Sequence, residues 1–261
     1  MGAVKVAPYL GYFIQVSAST NLKIYNTDGT TTNYNNPIDT TNFNGRCGTG
    51  YNSAFYQFGQ PAAGFDTKII YFNAGEWVDI QPPAEIIDRG IFHAFTDELD
   101  GTIWIVTSLN EVFFTSDGFI TVQKINGLSV DYNKDISMSF NQSHAMIVGT
   151  GICKVIDKQT LTYLDLVGVA PTVHGGVLLD DEWLIASFNR IYSSTNQFDT
   201  YNEAYVNGRN FEKSIKTIHE HNGNIYLEEQ DNDVGVVVIK AELDIDLTKP
   251  KEKIRVFKES F

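Results

Sequence analysis

Cysteine is scarce in this chain, because Cys47 and Cys153 are the only two among 261 residues. About a hundred residues separate them, so they lack the spacing of a metal-ligand pair. A free cysteine usually behaves as a small apolar residue of the core. We therefore predict two reduced, buried thiols and a protein made in a reducing cytoplasm, with a virus particle assembled there as one setting.

Positive charge is also in short supply. Lys and Arg number 19 against 32 Asp and Glu, which gives a net charge of −13. The one locally basic stretch, residues 249–255, is interrupted by Glu252. Binding to phosphates needs clustered cations, so we predict no nucleic-acid partner for the outer surface. An acidic surface fits a protein that must avoid sticking to nucleic acid, or one that binds a basic partner.

Long apolar runs are missing as well. No segment reaches the roughly 18 apolar residues that span a bilayer, and residues 1–7 lack the basic-then-apolar profile of a signal peptide. Few stretches show the 3.6-residue periodicity of a long helix. We expect a soluble, all-β protein without membrane insertion.

The motifs of common enzymes are also lacking. The sequence contains no Gly-x-Ser-x-Gly, no His-Glu-x-x-His and no glycine-rich phosphate loop that opens a helix. We therefore expect no catalytic residues, no cofactor and no enzymatic activity.

The chain does contain a repeated strand-turn-strand pattern. In residues 99–118 a tight Asp-Gly turn leads into an apolar strand around Trp104, and a second turn and strand follow. The pattern recurs roughly every 40 residues, which is the repeat length of a four-stranded propeller blade. The second strand of each unit is predicted to contain residues 11–13, 54–56, 102–104, 144–146, 182–184 and 224–226.

A second signature marks a later hairpin in two of the units. Residues 115–121 and 194–200 both read hydroxyl, any, Asp or Asn, any, Phe, any, Thr. This resembles the Asp-box of sialidase-like propellers, in which Gly usually stands where Phe119 and Phe198 stand here. Such a box caps the backbone of a tight turn, so the resemblance implies architecture and not an active site.

Residues 100–108 are also similar to the short repeats of two-component-regulator-type propellers, which carry Asp-Gly, an apolar residue and Trp at a similar place. Together these patterns predict an all-β fold, with one β-propeller domain over residues 1–261 and six four-stranded blades. Five blades plus an appended β-element is the alternative. We expect residues 1–11 to supply the innermost strand of the first blade and 253–259 the outermost strand of the last.

Two histidines are the metal candidates. His219 and His221 lie two residues apart on a predicted strand, so their side chains share a face. If that face lines the central channel, they could hold a metal ion and support a metal-dependent small-molecule hydrolase. The alternative is that they are satisfied polar groups in a water-filled channel.

Three aromatic residues are candidates for sugar binding. Tyr51, Tyr56 and Trp77 could stack on sugar rings, and the Asp-box resemblance implies a glycan-binding or glycan-cleaving propeller as a second alternative function.

The favoured function is that of a non-enzymatic scaffold. The richness in Asn, Thr and Tyr and the degenerate repeats resemble tailed-phage virion proteins, in which propellers serve in tail nozzles and tail-accessory rings. We therefore predict a structural subunit that binds other proteins of an assembly, with self-association included and a virus particle as the setting.

Overall fold

In the part of the chain that the structure describes, every regular element is an antiparallel β-strand. The structure is a computed structural model, and it describes residues 5–9, 12–16, 21–25, 29–35, 44–51, 54–60, 66–73, 76–167, 173–187, 190–206, 215–221, 224–231, 235–241, 243–245 and 255–259. Among these residues, no helix is long and apolar enough to cross a bilayer.

The described strands form six sheets, numbered here in chain order. Sheet 1 contains β1 (Lys5–Tyr9), β2 (Tyr12–Val16), β3 (Asn21–Tyr25) and β4 (Thr31–Asn35), and sheet 2 contains β5 (Asn44–Tyr51), β6 (Ala54–Gln60), β7 (Lys68–Asn73) and β8 (Glu76–Ile80). Sheet 3 contains β9 (Ile91–Thr96), β10 (Ile103–Thr107), β11 (Glu111–Thr115) and β12 (Gln123–Ser129).

The remaining sheets continue the series. Sheet 4 contains β13 (Ile136–Phe140), β14 (His144–Gly149), β15 (Ile152–Asp157) and β16 (Tyr163–Val167), and sheet 5 contains β17 (Gly175–Leu178), β18 (Trp183–Ser187), β19 (Arg190–Ser194) and β20 (Asn202–Val206). Sheet 6 contains β21 (Ile215–His221), β22 (Asn224–Asp231) and β23 (Gly235–Ala241). Two further strands, β24 (Leu243–Ile245) and β25 (Arg255–Glu259), end the series.

The strand order confirms the predicted repeat. In each sheet the first strands pair in the order of the chain, and the described residues of the six triplets predicted for second strands overlap β2, β6, β10, β14, β18 and β22. Each sheet is thus an up-and-down meander of the kind expected for a blade.

The central strands β10 and β18 are apolar except for a last Thr or Ser, because both of their faces are covered. All five residues of β10 and all five of β18 are buried. In β18, Trp183 and Ile185 pack in a core shared with sheet 4, whereas Leu184 and Ala186 pack in a core shared with sheet 6. A strand covered on both faces has no solvent-exposed face, which explains why apolar and polar residues do not alternate along these two strands.

Glycine allows β17 to pass close to its neighbours. A Cβ at Gly175 would lie 2.7 Å from the backbone nitrogen of Ile218 in sheet 6, and a Cβ at Gly176 would lie 2.5 Å from Met146 Sδ in sheet 4. The spacing between successive sheets in this part of the chain is therefore set by a residue pair without side chains.

The end of the chain corrects one prediction. We expected residues 253–259 to be the outermost strand of the last blade, but β25 pairs antiparallel with β16 of sheet 4. The short strand β24 pairs antiparallel with β20 of sheet 5. In the described part of the chain, one residue separates β23 from β24, and β24 pairs with sheet 5 and not with sheet 6. The last strands of the chain add to the outer edges of two earlier sheets instead.

The chain divides into two compact units, residues 1–132 and 133–261. Sheets 1 to 3 belong to the first unit, and sheets 4 to 6 with β24 and β25 belong to the second. The expectation of a single domain over 1–261 stays a prediction. Both cysteines are buried thiols outside any disulfide, as predicted, and burial raises the pKa of the Cys153 thiol.

Candidate interaction surfaces

The predicted metal histidines lie on the first strand of sheet 6. His219 is 54% exposed, and its Nε2 lies 3.7 Å from Glu228 Oε1 on β22. The backbone of His221 pairs with Asn224, and the side chain of His221 lies outside the described part. Within the described residues, no group of three or more His, Cys, Asp or Glu is arranged to hold a metal ion. The metal site stays a prediction.

The predicted sugar-stacking aromatics lie on sheet 2. Tyr56 is partly buried, with its ring centroid 4.9 Å from that of Tyr71 and 5.6 Å from that of Phe119, and burial raises the pKa of its phenol. The Trp77 ring lies 4.9 Å from Phe72. The side chain of Tyr51 is outside the described part. Tyr56 thus links sheet 2 to the turn of sheet 3 that contains Phe119.

That turn, residues 115–121, is closed by a network of side-chain hydrogen bonds. The Thr115 hydroxyl donates to Asp117 Oδ1 at 2.8 Å and accepts from the Phe119 amide at 3.2 Å. The Asp117 carboxylate accepts the Thr121 amide at 3.0 Å and the Thr121 hydroxyl at 2.7 Å. The bond from the Thr121 side chain, followed by the bonds from its amide and from Thr115, lowers the pKa of Asp117 to about 2.

The turn at 194–200 repeats this network with an amide in place of the carboxylate. The Ser194 hydroxyl donates to Asn196 Oδ1 at 2.9 Å and accepts from the Phe198 amide at 2.8 Å. Asn196 accepts the Thr200 amide at 2.9 Å and donates from Nδ2 to the Thr200 hydroxyl at 2.9 Å. The two sequences with the same signature therefore form the same turn.

Both turns place a phenylalanine in the core through a left-handed backbone. Phe119 and Phe198 have φ angles of 72° and 62°, a region that favours glycine. Their side chains are 2% and 0% exposed. Phe119 packs edge-on against Phe58 of sheet 2, with ring centroids 5.4 Å apart. Burial of a large ring compensates the backbone strain, which explains why Phe stands where the Asp-box has Gly.

Sheet 3 carries exposed aliphatic side chains on its turns. Ile120 is 80% exposed in the 115–121 turn, and Leu99 is 57% exposed in the turn between β9 and β10. In an up-and-down meander the first and third turns lie at the same end of the sheet, so these two residues share one end. Leu109, 59% exposed, lies in the second turn at the opposite end.

The end of sheet 3 with Leu99 and Ile120 is also acidic. Glu98, Asp100 and Asp117 are exposed in its two turns, and neither turn contains Lys or Arg. The next cation along the chain, Lys124, is paired with Glu111 at 2.8 Å. We call Glu98, Leu99, Asp100, Asp117 and Ile120 the turn surface.

Sequence reasoning missed the turn surface. One signal was available, because Ile120 occupies the position that Asp199 occupies in the matching turn. The aliphatic side chain of Ile120 has no role in the hydrogen bonds that close the turn.

The comparisons with known proteins identify the fold. No protein-family model matches the sequence, and none of the curated proteins is significantly similar to it. The structure is similar to YCF48 bound to D1 peptide, with a TM-score of 0.66 and 9% identity over 94% of this chain and 81% of that one.

Two other solved structures are similar. The computationally designed protein Ika8 has a TM-score of 0.59 at 10% identity, covering 92% of this chain and 71% of its own. The dihydro-heme d1 dehydrogenase NirN, in complex with DHE, has a TM-score of 0.55 at 12% identity, covering 99% and 68%. At such identities the likeness shows the fold alone. The chain is a β-propeller protein.

Proposed function

We propose that this protein is a non-enzymatic interaction scaffold that binds another protein through the turn surface. The observation that carries the proposal is Ile120, an aliphatic side chain that is 80% exposed on a turn whose backbone is fixed by side-chain hydrogen bonds.

Rigidity makes the turn suitable for binding. The Asp117 and Thr115 bonds fix the turn from within, and the Phe119 ring anchors it in the core. A contact residue held in place before binding loses little conformational entropy when a partner arrives. Burial of an exposed aliphatic side chain then contributes its hydrophobic free energy to affinity.

Charge defines the partner. The turn surface presents three carboxylates around two aliphatic side chains, and the whole chain has a net charge of −13. The complementary partner is a protein segment with apolar side chains flanked by Lys or Arg. Such complementarity raises the rate of association and selects among partners.

The fold and composition supply further support. YCF48, which has the same fold, is bound to a peptide in its solved structure. The setting that we propose is a larger assembly such as a tailed-phage virion, because the Asn, Thr and Tyr richness and the degenerate repeats resemble the propellers of tail nozzles and tail-accessory rings.

The test is cross-linking mass spectrometry on the tagged chain in its source cells, with the variant Leu99→Ser/Ile120→Ser. Leu109→Ser is the control, because it removes an aliphatic side chain about as exposed as Leu99 from the opposite end of sheet 3. We expect cross-links from the 98–121 region to a basic segment of another protein, reduced at least tenfold in the double variant and retained in the control. Equal cross-linking by all three forms would overturn the proposal.

A further inference from the structure

Sheet 4 has a fifth strand that comes from a distant part of the chain. Its first four strands, β13 to β16, already form the meander of a blade, and β25 adds to the outer edge of β16. The pairing is antiparallel and joins five residues on each side, from Tyr163 opposite Glu259 to Val167 opposite Arg255. The strand β25 is therefore an addition to a blade that already has its four strands.

The strand that β25 covers is apolar and buried. In β16, Tyr163, Leu164 and Leu166 are 5%, 9% and 3% exposed, and the sequence Tyr-Leu-Asp-Leu-Val has a single charge and no proline. The fourth strands of sheets 2 and 3 differ, because three of the five residues of β8 and five of the seven residues of β12 are exposed. An apolar strand with an open main-chain edge pairs readily with extended chains, so the edge of β16 is suited to accept one.

A connection of nine residues, 246–254, joins β25 to β24 on the outer edge of sheet 5. Five of the nine are charged, and one is Pro250. Nine residues of fully extended chain span roughly 30 Å. That length is enough to bring β25 to the edge of β16 in its own chain, or to the same edge in a second copy that lies against the first.

We propose that β25 is an exchangeable strand, which occupies the outer edge of β16 either in its own chain or in a second copy of this chain. The same ladder of five residue pairs forms in both cases, so exchange costs little beyond the entropy of joining two chains. A short connection gives β25 a local concentration on the order of millimolar at its own site. Pairing within one chain therefore dominates in dilute solution, and exchange dominates where copies are packed together.

The second copy is recognised through its main chain. Hydrogen bonds along the edge supply affinity in this mode of recognition, and the register of the five pairs fixes which segment fits. Exchange in both directions between two copies gives a symmetric pair, because each chain then donates one β25 and accepts the other. The inference adds self-association to the proposed scaffold and does not involve the turn surface.

Disulfide trapping tests the exchange on the full chain. Asp165 and Phe257 are direct partners in the register, and opposed residues of an antiparallel pair have Cα atoms about 4.5–5.5 Å apart, which a disulfide can bridge. Two differently tagged chains, one with Asp165→Cys and the other with Phe257→Cys, are produced in the same cells, purified together, oxidised and mapped by mass spectrometry. In the control mixture Asp181→Cys replaces Asp165→Cys, so that the carboxylate is lost from an exposed turn of sheet 5 instead.

The double variant Asp165→Cys/Phe257→Cys shows whether the two positions can be bridged. We expect an internal disulfide in that chain when it is oxidised in dilute solution. In the mixture of single variants we expect a disulfide between the two chains, at least about tenfold more abundant than in the control mixture, because the control positions are not partners in the ladder. Tyr163→Cys with Glu259→Cys is a second pair from the same ladder, and it replaces the first if those variants do not fold.

Two results would overturn the proposal. One is an internal disulfide in the double variant with no more disulfide between chains in the mixture than in the control, because β25 then stays on its own chain. The other is the absence of the disulfide, within or between chains, from the double variants of both pairs, because β25 would then not lie on β16. Neither result affects the cross-linking test on the turn surface, so failure of the exchange and failure of the scaffold function are distinguishable.

Discussion

Replacement of Phe119 separates two opposing effects at the 115–121 turn, the stabilising burial of its ring and the strain of its left-handed backbone. The side chain is 2% exposed and packs on Phe58 and Tyr56, so Phe119→Ala removes a buried ring. Such a change costs about 3–5 kcal/mol in free energy of unfolding. Phe119→Gly removes the same ring and also relieves the left-handed backbone at φ 72°, where a Cβ costs about 1–2 kcal/mol.

Glycine loses some of that gain through the extra freedom of the unfolded chain, about 0.5–1 kcal/mol. We therefore expect Phe119→Gly to be more stable than Phe119→Ala by about 0.5–1 kcal/mol. The assay is urea denaturation of the purified chain, with the midpoint and slope both measured.

Ile120 provides the matched control, because it is 80% exposed and the positive-φ residues of this turn are Gly118 and Phe119. Ile120→Ala should change the free energy of unfolding by less than about 0.5 kcal/mol. Ile120→Gly should be the less stable of the two, which is the reverse of the order at 119. If Phe119→Ala cost less than about 1 kcal/mol, the burial argument would be wrong. If alanine at 119 were as stable as glycine, the strain argument would be wrong.

Three further outcomes are expected. Because the folded pKa of Asp117 is about 2 against an ordinary 3.8, its bonds stabilise the fold above pH 4, and this stability is lost as the pH falls towards 2. Across that pH range the urea midpoint should fall less for Asp117→Asn than for the unchanged protein. The Asn side chain does not titrate, and it can close the turn as Asn196 closes the second turn. Gly175→Ala should lower the free energy of unfolding by about 1–3 kcal/mol in the same assay, because the new Cβ would clash with the backbone of Ile218, which cannot move aside. Gly176→Ala should lower it by less, because its Cβ would meet Sδ near the end of the flexible Met146 side chain. Deletion of residues 255–261 should speed amide exchange in Tyr163–Val167, and unchanged exchange would show that β25 does not cover that edge.

The repeat could be predicted from sequence because its signals are local. A tight turn followed by an apolar strand identifies each second strand, and turn chemistry acts over a few residues. The matching signatures at 115–121 and 194–200 likewise predicted a shared turn, and the hydrogen bonds of Asp117 and Asn196 form it twice.

The destination of the last strands could not be predicted in this way. Strand pairing between β25 and β16 joins residues almost a hundred positions apart, and the sequence of 255–259 contains no signal for the strand with which it pairs. The turn surface was missed for another reason, because exposed aliphatic residues are common and Ile120 gains meaning only from a turn held rigid around it.

The scaffold function is tested most directly by light scattering and metal analysis on one sample purified natively from the source cells. The account predicts a metal-free species heavier than the 29.2 kDa chain. A strict 29.2 kDa monomer with one divalent ion per chain would contradict it, and would point to a metal-dependent enzyme with His219 and His221 at its site.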